Sequence, residues 1–172
     1  MITRRTVLLT SAAALGAATV SLGLLSSSIA QPAGNEVFEI TRTEEEWRAL
    51  LTPVRFAILR QGATEYPYTN SLFGEQSPLL NEHRFGLYHC AGCDLPVYSS
   101  ETKYDSRTGW PSFWQAIDDA VRTNTDTLLG YPRTEVHCRR CGGHLGHIFD
   151  DGPPPSGKRH CINGLAMTFA PA

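Results

Sequence analysis

Apolar positions change their spacing once along the chain, and the change divides it into two regimes. Trp47, Leu50 and Leu51 recur at i, i+3 and i+4, which predicts a short helix with one apolar face. Thr43-Glu44-Glu45-Glu46 before them reads as a capping box, the Thr43 hydroxyl and the Glu46 carboxylate satisfying helix N-terminal donors reciprocally. Thr52-Pro53 reads as a second N-cap with proline at the first helical position, starting a helix through Phe56, Ile58 and Leu59 that stops near Gly62. Phe38-Glu39-Ile40 ahead of both predicts a short strand, and the Gly, Pro, Asn and Ser content of 62–81 predicts a surface loop. Beyond that loop the helical period is gone. Short β-like segments follow at Gly86–His89, Ser112–Trp114, Thr127–Leu129, Thr134–His137, His147–Phe149, Arg159–Asn163 and Ala166–Phe169. Turn clusters such as Asp151-Gly152-Pro153-Pro154-Pro155 separate them, so antiparallel sheets of short strands are expected. The pattern predicts a mainly β domain with a short helical N-terminal preface.

The first thirty residues obey neither regime. Arg4-Arg5 precede an uncharged run from Thr6 to Ala30, and Ser28-Ile29-Ala30 offers a small-x-small cleavage signal. Thr3-Arg4-Arg5-Thr6-Val7-Leu8-Leu9 resembles a twin-arginine export signal. Residues 1–30 are therefore expected to be an export peptide, 31–37 a linker and 38–171 the folded domain. A periplasmic or otherwise exported destination follows. The alternative is an uncleaved N-terminal membrane anchor, since the run is long enough to span a bilayer, although its Ser, Thr and Ala content makes it a weak stop-transfer segment. The 172-residue chain is 41% hydrophobic and 19% charged, as expected of one globular domain. Removing Arg4 and Arg5 from the 15 basic residues leaves 13 against 17 acidic ones. That surplus of negative charge gives no general attraction for nucleic acid or anionic lipid.

Five cysteines carry the chemistry, and they divide into four plus one. Cys90-Ala91-Gly92-Cys93 and Cys138-Arg139-Arg140-Cys141 are two Cys-x-x-Cys knuckles, a spacing that lets both sulfurs of a pair face one metal. Together they make a candidate four-cysteine site for one structural Zn²⁺. The stretch between the knuckles is longer than in compact zinc ribbons, so tertiary structure has to assemble the site. Redox pairs or disulfides are the competing readings. Neither knuckle lies at a strand-to-helix junction of a βαβ unit, which counts against a thioredoxin-like motif. Zinc loaded before export would keep these thiols from pairing in an oxidising compartment.

Cys161, inside Arg159-His160-Cys161-Ile162-Asn163, is the fifth. A small buried hydrophobe is one reading; a nucleophile is the other. Arg159 and His160 beside it supply positive charge of the kind that lowers a thiol pKa. His144-Leu145-Gly146-His147-Ile148-Phe149 supplies two imidazoles that titrate where a general acid is useful.

Gly109-Trp110-Pro111-Ser112-Phe113, the second knuckle, His144–Phe149, Asp151-Gly152-Pro153 and Arg159–Asn163 stand in an order that resembles the B-type methionine-R-sulfoxide reductases. The helical preface Thr43–Gln61 is similar as well, so the likeness covers nearly the whole chain after the export segment. The resemblance implies two antiparallel sheets in a β-tent arrangement, with zinc at the end away from the catalytic thiol. It implies Cys161 as nucleophile and His147 as the acid that protonates the sulfoxide oxygen, with His144 and Asn163 orienting substrate and oxygen. Trp110 receives the substrate methyl group beside Phe149, and Arg159 joins them on the substrate side. The implied substrate is oxidised methionine, free or in proteins, and Cys161 is left as a sulfenic acid. Two departures stand out. Many relatives carry a resolving cysteine two residues before the Trp, where this chain has Thr108; recycling then falls to an external thiol, in an exported protein a thioredoxin-like one. His160 replaces an aromatic hydroxyl residue, and Gly164 a common Ser. A non-enzymatic zinc-stapled binding module and a cysteine hydrolase are the other classes open. The first would not need Cys161, Asn163, Trp110 and both histidines together, and the second needs an oxyanion hole not visible in the sequence.

Overall fold

The computed structural model describes residues 36–69 and 71–172. The export peptide, the twin-arginine motif, the alternative anchor and nearly all of the linker lie outside these residues. Among the described residues no helix is long and apolar enough to cross a membrane.

The helical preface forms as its caps dictate. Helix α1 (Glu44–Leu50) begins under a complete capping box, Glu46 N–H donating to Thr43 Oγ1 at 3.2 Å and Thr43 N–H to Glu46 Oε2 at 2.8 Å. Helix α2 (Pro53–Gln61) starts at Thr52 and closes at Gly62, which takes the left-handed conformation. Trp47 and Leu51 are buried, whereas Leu50 is 55% exposed: the short α1 buries a narrower stripe than its spacing suggested. The Phe38–Ile40 segment forms no strand. A single backbone bond, Ile40 N–H to the Arg140 carbonyl at 3.0 Å, ties it down.

Eleven strands follow among the described residues, all paired antiparallel: β1 (Ser71–Leu72), β2 (Glu75–Gln76), β3 (Gly86–Cys90), β4 (Pro96–Ser99), β5 (Lys103–Tyr104), β6 (Ser112–Phe113), β7 (Val121–Asp126), β8 (Arg133–Cys138), β9 (His144–Phe149), β10 (Arg159–Ile162) and β11 (Met167–Pro171). A six-stranded sheet runs β5-β6-β10-β9-β8-β7, a three-stranded one runs β11-β3-β4, and β1-β2 is a small hairpin. The expected pair of main sheets is thus present. Thr127–Leu129 is the turn after β7 rather than a strand, and β7 itself is polar and mostly solvent-facing. The two main sheets lock through aromatic rings. Phe113 of β6 stacks on Tyr98 of β4 at 4.4 Å and meets Tyr88 of β3 edge-on at 5.0 Å. All three rings are fully buried, in one core that also takes Ile58 and Leu59 of α2.

Candidate active site and metal centre

The knuckles sit at equivalent places in the two sheets. Cys90 ends β3 and Cys93 lies in the β3–β4 turn, while Cys138 ends β8 and Cys141 lies in the β8–β9 turn. One cluster therefore clamps the two sheets together. Its four sulfurs all lie within 4.8 Å of one another, with Cys90–Cys141 at 3.7 Å and Cys93–Cys138 at 3.5 Å. A tetrahedral cation with metal–sulfur bonds of about 2.3 Å needs sulfurs ~3.8 Å apart, so the donor set fits such an ion. Its protonation chemistry agrees. Hydrogen bonds from the neighbouring thiols hold Cys138 far below the ordinary thiol value, while bonding to Cys138 holds Cys90 and Cys141 above it. Four crowded thiols oppose one another's ionisation, and a divalent cation is what lets all four ionise together. Arg60 fixes the second knuckle from outside, donating to the Cys141 carbonyl at 2.9 Å with its guanidinium over Trp47.

The fifth cysteine lies in the middle of the six-stranded sheet. Cys161 on β10 is paired with His147 on β9 to one side and Ser112 on β6 to the other. Gly146 makes that approach of strands possible, since a Cβ there would stand 2.1 Å from the Cys161 carbonyl oxygen. His147 is four positions along from Gly143, so the thiol and the cysteine cluster lie about 13 Å apart along β9 by strand rise. A cleft of ≈ 110 Å³ opens here. Trp110, Phe149, His147, Cys161 and Asn163 line it, with Thr64, Gly146 and Arg133 completing the wall. Five of the seven residues the sequence assigned to catalysis and substrate are thereby brought together. His144 and Arg159 stand outside the lining.

Each of these groups has a defined partner. His147 Nε2 lies 2.7 Å from Asp126 Oδ2, at the end of β7, and Asp126 accepts from Arg133 at 2.5 Å. Burial lowers the His147 pKa and the Asp126 bond opposes that shift. The Leu128 N–H together with His147 and Arg133 draws Asp126 down to about 2, so it is ionised at any working pH. His144 Nδ1 meets Glu135 Oε1 at 2.7 Å, and its ring stands 5.4 Å from that of His147. Arg159 lies on the flank of Cys161, held by Asp151 in a two-bond fork at 2.8 and 2.9 Å and stacked on Phe149 at 4.3 Å. Burial pushes the Cys161 thiol above its ordinary value, while the Arg159 charge and the hydrogen bond between Cys161 and Thr108 pull the other way.

His160 corrects the sequence reading. Its ring Nδ1 pairs with the Tyr98 hydroxyl at 3.1 Å in the core, and burial draws its pKa down to about 4. A neutral, buried imidazole supplies no positive charge to the neighbouring thiol. Gly164 also has a structural reason, because a Cβ there would lie 2.8 Å from Ser77 Oγ. Ser77 fills the space a side chain at 164 would need.

Glu65 is the residue sequence reasoning missed. It is 1% exposed, and its carboxylate accepts the backbone N–H groups of Gly164 and Leu165 at 2.5 and 3.1 Å. Its own backbone N–H donates to Asn163 Oδ1 at 3.0 Å, and its carbonyl accepts from Trp110 Nε1 at 3.0 Å. One buried residue thus fixes both the asparagine and the indole of the cleft. Asn163 Nδ2 donates in turn to the Leu145 carbonyl at 3.1 Å, so its amide braces β9 against the segment after β10.

A thiol beside an imidazole that is paired to an ionised carboxylate, between two aromatic walls, marks a cysteine-dependent enzyme. Residues 51–171 match the SelR domain. The chain is 45% identical over 134 residues to the peptide methionine sulfoxide reductase MsrB of Agrobacterium fabrum, covering 77% of this chain and 94% of that protein. It is 47% identical over 134 residues to the MsrB of Pseudomonas putida, covering 77% and 96%, and 47% identical over 131 residues to that of Thiobacillus denitrificans, covering 76% and 94%. The chain belongs to this family, that of the B-type methionine sulfoxide reductases.

Proposed function

We propose that the domain reduces the R epimer of methionine sulfoxide, free or in proteins, to methionine. The observation that carries this reading is the cross-strand pair of Cys161 and His147 on a cleft walled by Trp110 and Phe149. The S-methyl end of the substrate buries against the indole, where an apolar group is favoured and the charged ends of most metabolites are not. Cys161 thiolate attacks the sulfoxide sulfur while His147 delivers a proton to the oxygen, which relieves the charge developing there. In the resulting adduct the new sulfur–sulfur bond and the substrate's sulfur–oxygen bond both break as the oxygen forms a bond to the Cys161 sulfur, so methionine leaves and Cys161 is left as a sulfenic acid. Ionised Asp126 favours the imidazolium that serves as this acid.

Recycling needs two electrons. Thr108 holds the place of a resolving cysteine, and the other four thiols form the metal centre, so an external thiol attacks the Cys161 sulfur and releases water. A second thiol of the same reductant completes its disulfide and returns Cys161 as the thiol. In an exported protein a thioredoxin-like donor fits that role. The Cys90, Cys93, Cys138 and Cys141 centre holds one Zn²⁺, whose contribution is folding free energy. The twin-arginine-like start directs the chain out of the cytoplasm with 1–30 removed, leaving the 38–171 domain. To test the activity, the protein is incubated with each purified sulfoxide epimer and a dithiol, and methionine is quantified. Methionine from the R epimer alone is expected. Turnover of the S epimer, or none of either, contradicts the reading.

A further inference from the structure

Three hydroxyl side chains run in single file from the loop that carries Trp110 to the sulfur of Cys161. Ser112 Oγ donates to the Trp110 carbonyl at 3.2 Å. The Ser112 and Ser106 hydroxyls lie 2.7 Å apart, Ser106 and Thr108 2.8 Å, and Thr108 Oγ1 is 3.9 Å from Cys161 Sγ, at the long end for a hydrogen bond to sulfur. Each hydroxyl has one proton to give, and each can also accept. The carbonyl at the far end can only accept. With the thiol protonated and all four bonds made at once, every bond runs toward that carbonyl: Ser106 gives its proton to Ser112, Thr108 to Ser106, and the Cys161 thiol to Thr108.

A thiolate has no proton to give. When the Cys161 proton leaves to solvent, the file has to turn over. Thr108 then donates to the sulfur, Ser106 to Thr108 and Ser112 to Ser106, and the Trp110 carbonyl loses its hydroxyl donor. A hydrogen bond to an ionised acceptor is about twice as strong as a neutral one, and hydroxyls in series polarise one another. The reversed file therefore favours the anion. We propose that Thr108, Ser106 and Ser112 form a reversible hydrogen-bond relay that stabilises the Cys161 thiolate, with Ser106 a positioning residue that acts without touching the sulfur. The proposal rests on Cys161 being the nucleophile. It gives Thr108 a function in the place where relatives carry a resolving cysteine. It also ties the charge of the nucleophile to the backbone of the loop whose indole walls the cleft.

Other charged and titratable groups face the sulfur: Arg159 on its own strand, Asp151 in the preceding loop, Tyr104 on β5 and His147 on β9. All remain in place in the relay variants, so a change in those variants reads the hydroxyls. The test is the pH dependence of iodoacetamide alkylation at Cys161, followed by mass spectrometry of the Cys161 peptide in the full-length, metal-loaded protein. Thr108→Val should slow alkylation at neutral pH about tenfold and move its midpoint to higher pH, the scale of one charge-assisted bond. Ser106→Ala should slow it about threefold in the same direction, one bond removed from the sulfur. Thr108→Ser, which keeps the hydroxyl, should retain the parent profile. A parent-like profile in Ser106→Ala overturns the relay, and so do equal profiles in Thr108→Val and Thr108→Ser. Alkylation needs no sulfoxide, so a failure of the proposed reductase activity would appear in turnover and leave these profiles as they are.

Discussion

Glu65→Gln isolates the carboxylate that organises the cleft. The parent carboxylate accepts two buried backbone N–H groups, from Gly164 and Leu165. A glutamine of the same shape keeps one acceptor and turns an amide N–H₂ toward the other donor. One buried donor left without an acceptor costs about 1–3 kcal/mol. Burial raises the Glu65 pKa and the two N–H groups only partly offset it, so the folded protein holds the Glu65 proton more tightly than the unfolded chain does. The sign follows from that. The stabilisation from this shift is fully present below the unfolded value of 4.5 and is lost as pH rises through the raised folded value. Glutamine cannot titrate, so the parent's advantage over the variant is largest in acid and shrinks toward neutrality. At about 3–5 °C per kcal/mol for a domain of this size, the melting temperature should fall by roughly 3–15 °C, more below pH 4.5 than at pH 7. Circular dichroism melts at both pH values measure it. Equal melting temperatures, or a gap that widens as pH rises, would refute the reasoning.

Three further outcomes follow from the same geometry. Cys138→Ser or Cys90→Ser should abolish stoichiometric zinc and lower the melting temperature sharply, since a metal held by these four sulfurs would contribute folding free energy; a metal-free variant as heat-stable as the parent contradicts a structural centre. His160 is held neutral, its pKa drawn to about 4, so its contribution is present above its unfolded value near 6.5 and is lost as pH falls toward 4, up to about 3 kcal/mol. His160→Gln should flatten the melting profile across that window, and an unaltered acid loss rules the assignment out. Asp126→Asn removes the carboxylate from His147 and should lower kcat about tenfold with a smaller change in KM; kcat equal to the parent across the pH range removes Asp126 from the proton path.

Local chemistry made part of this structure legible from sequence. The Thr43–Glu46 box, the Thr52-Pro53 start and the two knuckles are short-range signals, and each formed as read. The antiparallel β architecture followed from spacing and turns. Strand β7 escaped because an arm exposed on nearly its whole length, Val-Arg-Thr-Asn-Thr-Asp, shows no apolar alternation. Strand β4 opens with a proline and pairs through a bulge, which hides its period. Glu65 lies in a stretch whose composition reads as surface loop, and only tertiary structure reveals that its carboxylate caps Gly164 and Leu165. Asp126 meets His147 for the same reason, through a pairing across two strands that no local motif encodes. The His160 reading failed because adjacent residues on a strand point to opposite faces, Cys161 to the cleft and His160 to the core.

The central claim is that one thiol carries the whole reduction, and a single turnover without reductant tests it most directly. Full-length, zinc-loaded protein is mixed with excess methionine-R-sulfoxide and no added thiol; methionine is counted and the Cys161 peptide is weighed. The account predicts one methionine per chain and one added oxygen, trapped by dimedone, on Cys161. More than one methionine per chain, or a disulfide from Cys161 to a knuckle cysteine with zinc released, would contradict it.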